Sequence, residues 1–281
     1  MLKITLDLIK EVAMMDEKGA IGVFDSGVGG LTVLKEIVSI LPNEHTIYLG
    51  DTARVPYGSK PKETIIQYAL EDAGFLFRQN VKALVVACNT MCCLAMDKLE
   101  KEFDLPVIGM TAPASRTAVS LTKNKKVGVI ATEGTINSGV YNQAIKQLDN
   151  SIEVFSKECP LFVSIVEEGL LEGEIVEKIV EMYLSELKRK QIDTLLLGCT
   201  HYPLIMGPIV KFMGPKVTVL NPAAEVAKEL KLKLTKFCLL NRDKSEGSRM
   251  FFFTSQPQKA EKLIRHLNIR VDIVRQVNLQ C

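Results

Sequence analysis

The chain has 281 residues, 47% apolar and 24% charged, with a formal net charge of +2 and no tryptophan. That length suits two modest domains better than one simple core. The near-neutral charge and the scarcity of stacking aromatics argue against nucleic acid or an anionic membrane as the main partner. Seven cysteines, an odd number, with no signal h-region and no apolar run near the ~18–20 residues of a membrane span, read as reduced thiols in the cytoplasm.

In chain order, residues 1–19 read as an appendage. Leu2, Leu6, Ile9 and Ala13 suggest a short amphipathic helix, Lys3, Asp7, Lys10 and Glu11 break any signal sequence, and Met15 offers an alternative start. "AIGVFD" is a buried strand, "SGVGG" a turn, and "LTVLKEIVSILP" an amphipathic helix that stops at Pro42. "HTIYLGD" is the next strand, residues 62–80 a helix, "VKALVVAC" a strand, "MCCLAMDKLEKEF" a helix, and "LPVIGM" closes the first set. A second set follows: strand "KKVGVIAT", helix "GVYNQAIKQLD", strand "SIEVFSKECP" running into a loop, a helix over 173–190, then strands "IDTLLLGC" and "KVTVLNP". A helix starts near Pro222 and runs to about Lys236. The tail "SRMFFFTS", "QKAEKLIRHL", "IRVDIVRQ" again reads strand–helix–strand. Such alternation predicts mostly parallel sheets covered on both faces.

The two sets resemble each other. "IGVFDSG" parallels "VGVIATEG", and "LVVACNT" parallels "LLLGCTH", as a duplicated α/β half would produce. In open parallel sheets ligands bind at the carboxyl ends of strands. Asp25-Ser26, Asp51, Cys88-Asn89-Thr90, Thr132 to Thr135 and Cys199-Thr200-His201 all fall there, so two half-sites would meet in a cleft. A cysteine between a strand and a helix lies at a helix N-terminus, whose partial positive charge favours thiolate. A lone cysteine so placed is usually a small buried hydrophobe; a matched pair points to chemistry. "CNTMCC" lacks zinc-knuckle spacing, and Cys92 and Cys93 fit helix packing. "DSGVGG" lacks both the dinucleotide fingerprint and the P-loop pattern and suits a small carboxylate, with Asp25 handling a proton or an ammonium group. Cys199 and His201 together also fit a thiol hydrolase. Two matched weak acids fit another reaction better: taking a proton from one face of a carbon and returning one to the other.

"GVFDSGVGGLTVL" (22–34), "YLGDTARVPYG" (48–58), "ACNT" (87–90), "CPLFVSIVEEG" (159–169) and "LGCTHYPL" (197–204) resemble the glutamate racemases of the cofactor-independent aspartate/glutamate racemase superfamily. The resemblance runs from about Ile21 to the end. It implies an α/β protein of two flavodoxin-like domains, with mostly parallel sheets related by a pseudo-two-fold and the site in the cleft between them. The domains would be 20–113 plus 222–281, and 114–221. It implies interconversion of L- and D-glutamate without pyridoxal phosphate, metal or other cofactor, supplying D-glutamate for peptidoglycan, in a cytoplasmic homodimer. Cys88 would exchange the proton with D-glutamate and Cys199 with L-glutamate, with Asp25, His201 and Glu167 as helpers. Ser26, Tyr57, Gly58, Asn89, Thr90, Thr132, Thr135 and Thr200 match substrate contacts, as do Asp25 and His201. Ser164 stands where the family commonly has proline. An aspartate racemase of the same superfamily and a binding protein that keeps the fold are the alternatives.

Overall fold

The computed structural model describes residues 17–279. The amphipathic helix expected from Leu2, Leu6, Ile9 and Ala13 therefore falls outside the described residues; of the expected appendage only residues 17–19, a turn leading into the first strand, belong to them. In chain order the elements are β1 (Ala20–Asp25), α1 (Leu31–Ile40), β2 (Thr46–Gly50), α2 (Lys62–Phe77), β3 (Val81–Val86), α3 (Asn89–Glu102), β4 (Val107–Gly109) and α4 (Thr111–Leu121). There follow β5 (Lys126–Ala131), α5 (Glu133–Asn137), α6 (Val140–Leu148), β6 (Glu153–Glu158), α7 (Pro160–Glu167), α8 (Glu174–Arg189) and β7 (Thr194–Gly198). A 3₁₀ turn (Tyr202–Ile205), α9 (Met206–Met213), β8 (Thr218–Leu220), α10 (Ala223–Lys236), β9 (Arg249–Phe253), α11 (Pro257–His266) and β10 (Ile273–Gln276) complete the chain.

The strands form two sheets, ordered β10-β9-β2-β1-β3-β4 and β6-β5-β7-β8, and every pairing is parallel. The inner strands are buried along all or nearly all of their length, "VKALVV" and "TLLLG" completely, because helices cover both faces. Four strands of the first sheet, β2-β1-β3-β4, have the same order as β6-β5-β7-β8 of the second. The internal likeness read from the sequence is thus a likeness of topology: β1 answers to β5 and β3 to β7. Cys88 and Cys199 follow β3 and β7, so they occupy equivalent positions.

Four α-helices escape the sequence reading, as does the 3₁₀ turn Tyr202–Ile205. The strand "SIEVFSKECP" does not run into a loop: Pro160 opens α7. Proline is tolerated in the first helical turn, where its missing N–H has no partner to lose. Pro113 likewise lies in the first turn of α4. The others are the short α5 and α9. Among the described residues no helix is long and apolar enough to cross a membrane.

Candidate active site

The order β2-β1-β3-β4 reverses direction between β1 and β3, and the crevice beyond the strand ends at such a point is the natural ligand site of an open parallel sheet. β1 delivers Asp25 and Ser26 there, and β3 delivers Cys88 at the N-cap of α3. The Cys88 thiol lies 3.6 Å from Ser26 Oγ. Burial raises its pKa and the nearby Asp25 carboxylate raises it further. The Met91 N–H and the Ser26 hydroxyl oppose them, and the net result is a thiol pushed up to about 12. Asp25 is fully buried. Its carboxylate accepts the Gly27 N–H at 2.9 Å and the Thr200 hydroxyl at 3.0 Å. Burial raises its pKa despite the opposing pull of His201 and these bonds.

The second half supplies Cys199 after β7. The Cys199 thiol is 3.8 Å from His201 Nδ1, and His201 Nε2 pairs with Glu167 Oε1 at 2.7 Å. Burial alone would depress the imidazole pKa. The Cys199 and Glu167 contacts override it and hold His201 well above its ordinary 6.5. Burial would raise Glu167 in turn, but the imidazole bond and charge, with help from Lys259, bring it below its ordinary value. Glu167 closes α7, the helix missed in the sequence, and that helix aims its carboxylate at the imidazole. Gly29 lies against this pair: a Cβ there would sit 2.5 Å from Thr200 Oγ1 and 2.6 Å from His201 Nδ1. The glycine-rich turn thus gives close approach of the two halves.

The remaining expected residues converge on the same place. Thr90, Thr132 and Thr135 form a hydroxyl triangle with edges of 3.0, 3.3 and 3.0 Å, joining the start of α3 to the start of α5. The Gly58 carbonyl accepts the Gly134 N–H at 2.8 Å. Ser26, Tyr57, Gly58, Cys88, Asn89, Thr90, Thr132, Cys199, Thr200 and His201 all line one cavity. Its volume is about 20 Å³, room for little more than one water, so a larger ligand requires the lining to open. Thr135 reaches that cavity through its hydroxyl partners. Asp25 and Glu167 stand behind the lining, on Thr200 and His201.

The sequence reading expects Asp25 beside Cys88, and its carboxylate is close enough to raise that thiol. The Asp25 side chain accepts from the Gly27 N–H and, across the halves, from Thr200, while Ser26 makes the contact with the Cys88 thiol. Val55, Pro56 and Val163 also line the cavity, and as apolar residues they carry no sequence signal. A buried network behind Tyr57 also went unread. The phenol O–H donates to Asp51, while Arg54 pairs with Asp51, Glu71 and Asp72 and lies 3.9 Å from the Tyr68 ring centre. Tyr141, unread too, donates to Asn89 Oδ1. Among the described residues no three His, Cys, Asp or Glu side chains converge in a way that could hold a metal ion.

The arrangement invites comparison with known proteins. Residues 21–230 match the family described as Asp/Glu/hydantoin racemase. A glutamate racemase of Aquifex aeolicus is 47% identical over 87% of this chain and 92% of its own. One from Geobacter metallireducens is 46% identical over 85% of this chain and 88% of its own. Among solved structures, glutamate racemase from Francisella tularensis in complex with D-glutamate superposes with a TM-score of 0.87 at 41% identity, covering 94% of this chain and 99% of that one.

Proposed function

The chain belongs to the Asp/Glu/hydantoin racemase family, and from that membership we propose that it interconverts L- and D-glutamate by proton transfer at Cα between Cys88 and Cys199. The observation that carries the reading is that two thiols at topologically equivalent strand ends line one cavity. One thiolate takes the Cα proton from its face while the other thiol delivers a proton to the opposite face. Each turnover leaves the two sulfurs with exchanged protonation. Cys88 serves D-glutamate and Cys199 serves L-glutamate.

A proton α to a carboxylate is a very weak acid, and removing it places charge on the carboxylate oxygens. Fixed donors in a cavity closed to water stabilise that charge most. The Asn89 amide, the Thr90 and Thr132 hydroxyls and the N-terminus of α3 are the donors. A Cys88 thiol at about 12 stays protonated until a positive group approaches. The substrate ammonium, drawn toward the Asp25 carboxylate behind the lining, is that group and favours thiolate. On the other side His201, kept protonated by Glu167, sets a positive group 3.8 Å from the Cys199 sulfur. Positioned acid–base groups of this kind contribute roughly 10²–10⁴ in rate. The side chains present supply every group this scheme uses, so we assign no cofactor.

The domain division 20–113 plus 222–281 and 114–221 belongs to this reading. It is supported by sheet membership, by α4 packing on the second core and by α10 packing on α1. We further propose a cytoplasmic homodimer whose D-glutamate enters peptidoglycan; the unpaired thiols Cys88, Cys92, Cys93, Cys159, Cys199 and Cys238 accord with a reducing compartment. The test is circular dichroism of purified protein given L- or D-glutamate, with chelator and no added cofactor. Loss of optical activity from both enantiomers is expected. A need for pyridoxal phosphate or metal overturns the two-thiol scheme, and turnover of aspartate in place of glutamate assigns the chain to the other substrate.

A further inference from the structure

We infer that Tyr141 is a positioning residue for a substrate carboxylate: it fixes which way round the Asn89 amide sits, so that the amide N–H pair faces the cavity. The inference rests on the racemase reading above. Tyr141 stands in α6, in the half built on the second sheet, and Asn89 opens α3 in the other half. Both are 3% exposed. The phenol O–H donates to Asn89 Oδ1. Asn89 Nδ2 is buried with no hydrogen-bond partner among the described residues, and Asn89 lines the cavity between the thiols.

A primary amide has one acceptor end and one end with two donors, and a phenol has one proton. The Thr111 hydroxyl acts on the phenol against burial, lowering its pKa as a donor would. The phenol proton itself goes to Asn89. Burial, reinforced by the Cys93, Cys92 and Cys199 thiols, holds the phenol well above its ordinary pKa, so the donor persists across the working pH range. The amide oxygen is thereby occupied and the N–H pair is left over. A buried donor without a partner is costly, and an anion in the cavity satisfies it. If the amide flipped, its oxygen would meet the carboxylate and repulsion would replace attraction. The bond also spans the two halves, so the carboxylate site is complete only when they are together.

The test is a double-mutant cycle on the full chain. Tyr141→Phe keeps the ring and removes the proton. It should raise KM for both enantiomers about tenfold, the worth of a hydrogen bond to a charged group, with a smaller change in kcat. In an Asn89→Ala background the same change should add less than twofold, because the group it orients is gone. Thr111→Val, at a partly exposed site, should raise KM in the same direction by less, and it serves as the second variant if Tyr141→Phe folds poorly. Multiplying effects of Tyr141→Phe and Asn89→Ala, or an unchanged KM in both Tyr141→Phe and Thr111→Val, overturns the inference while leaving the racemase reading intact. Wild-type protein inactive on glutamate overturns both.

Discussion

Cys88 and Cys199 are the same chemical group held in different surroundings. Cys88 has a neutral hydroxyl and a buried carboxylate nearby; Cys199 has an imidazole at 3.8 Å. The helpers should therefore act by side. His201→Asn should slow kcat more from L to D, and Asp25→Asn more from D to L. KM must compensate, because an equilibrium constant of one forces equal kcat/KM in both directions. Steady-state kinetics from each enantiomer checks this, and equal kcat losses in both directions for both variants would count against it. Glu167 raises His201 and is itself lowered, so the pair is charged between the depressed value of Glu167 and the raised value of His201. The stability it contributes is lost as pH falls through the first or rises through the second. Glu167→Gln removes the carboxylate that holds the imidazole proton, and the alkaline limb of the kcat profile should move to lower pH. Cys88→Ser and Cys199→Ser should each abolish racemisation. A substrate analogue with a β leaving group, which needs one abstraction only, should still eliminate: the D form with Cys199→Ser, the L form with Cys88→Ser. Elimination of one and the same enantiomer by both variants would refute the two-face arrangement.

At the level of elements, the strands place the chemistry and the turns bring the halves into contact. Gly29 against Thr200 and Gly58 against Thr132, where a Cβ would sit 2.5 Å from the threonine in each case, are the tightest of these contacts within the site. Gly29→Ala would force Thr200 and His201 aside, and we expect activity to fall at least about a hundredfold, since a misplacement of ~1 Å costs that much. The opposite end of the first sheet makes a useful contrast. There Lys82 and Glu44, 1% and 2% exposed, pair at 2.5 Å. Lys82→Met strands a buried carboxylate and should cost about 3–5 kcal/mol in a denaturant melt, leaving the KM of the folded fraction unchanged. The strands and the cysteine positions were legible because continuous apolar runs ending in polar residues have one natural fate, a buried parallel strand with its tip in the crevice. Helix α7 was not, because Pro160 resembles a stop signal when it is in fact a start. With α7 unread, the partnership of Glu167 with His201 could come only from resemblance. Tyr141 was unreadable for another reason: its bond to Asn89 crosses between the halves, and no local pattern encodes that.

For the molecule as a whole, the site belongs to neither half alone. Asp25 of the first sheet holds Thr200 of the second, and Tyr141 of the second holds Asn89 of the first. Residues 1–19 precede every element that reaches the cleft, so a chain beginning at Met15 should keep full kcat and KM; folded but inactive protein would give the segment a role. Because glutamate would touch both halves, it should also brace them. A ligand that binds only the native state stabilises it by about 2.7 kcal/mol at a hundred times its Kd, or roughly 5 °C in Tm for a chain of this size. Wild-type enzyme cannot separate the enantiomers, since it mixes them. Cys88→Ser holds each one unchanged and keeps the rest of the cavity. Scanning calorimetry of Cys88→Ser should show one transition that rises saturably with either D- or L-glutamate. A second transition, moving alone as ligand is added, would mean that the substrate is held by one half only. The cavity shared by the two strand tips would then not be where it binds.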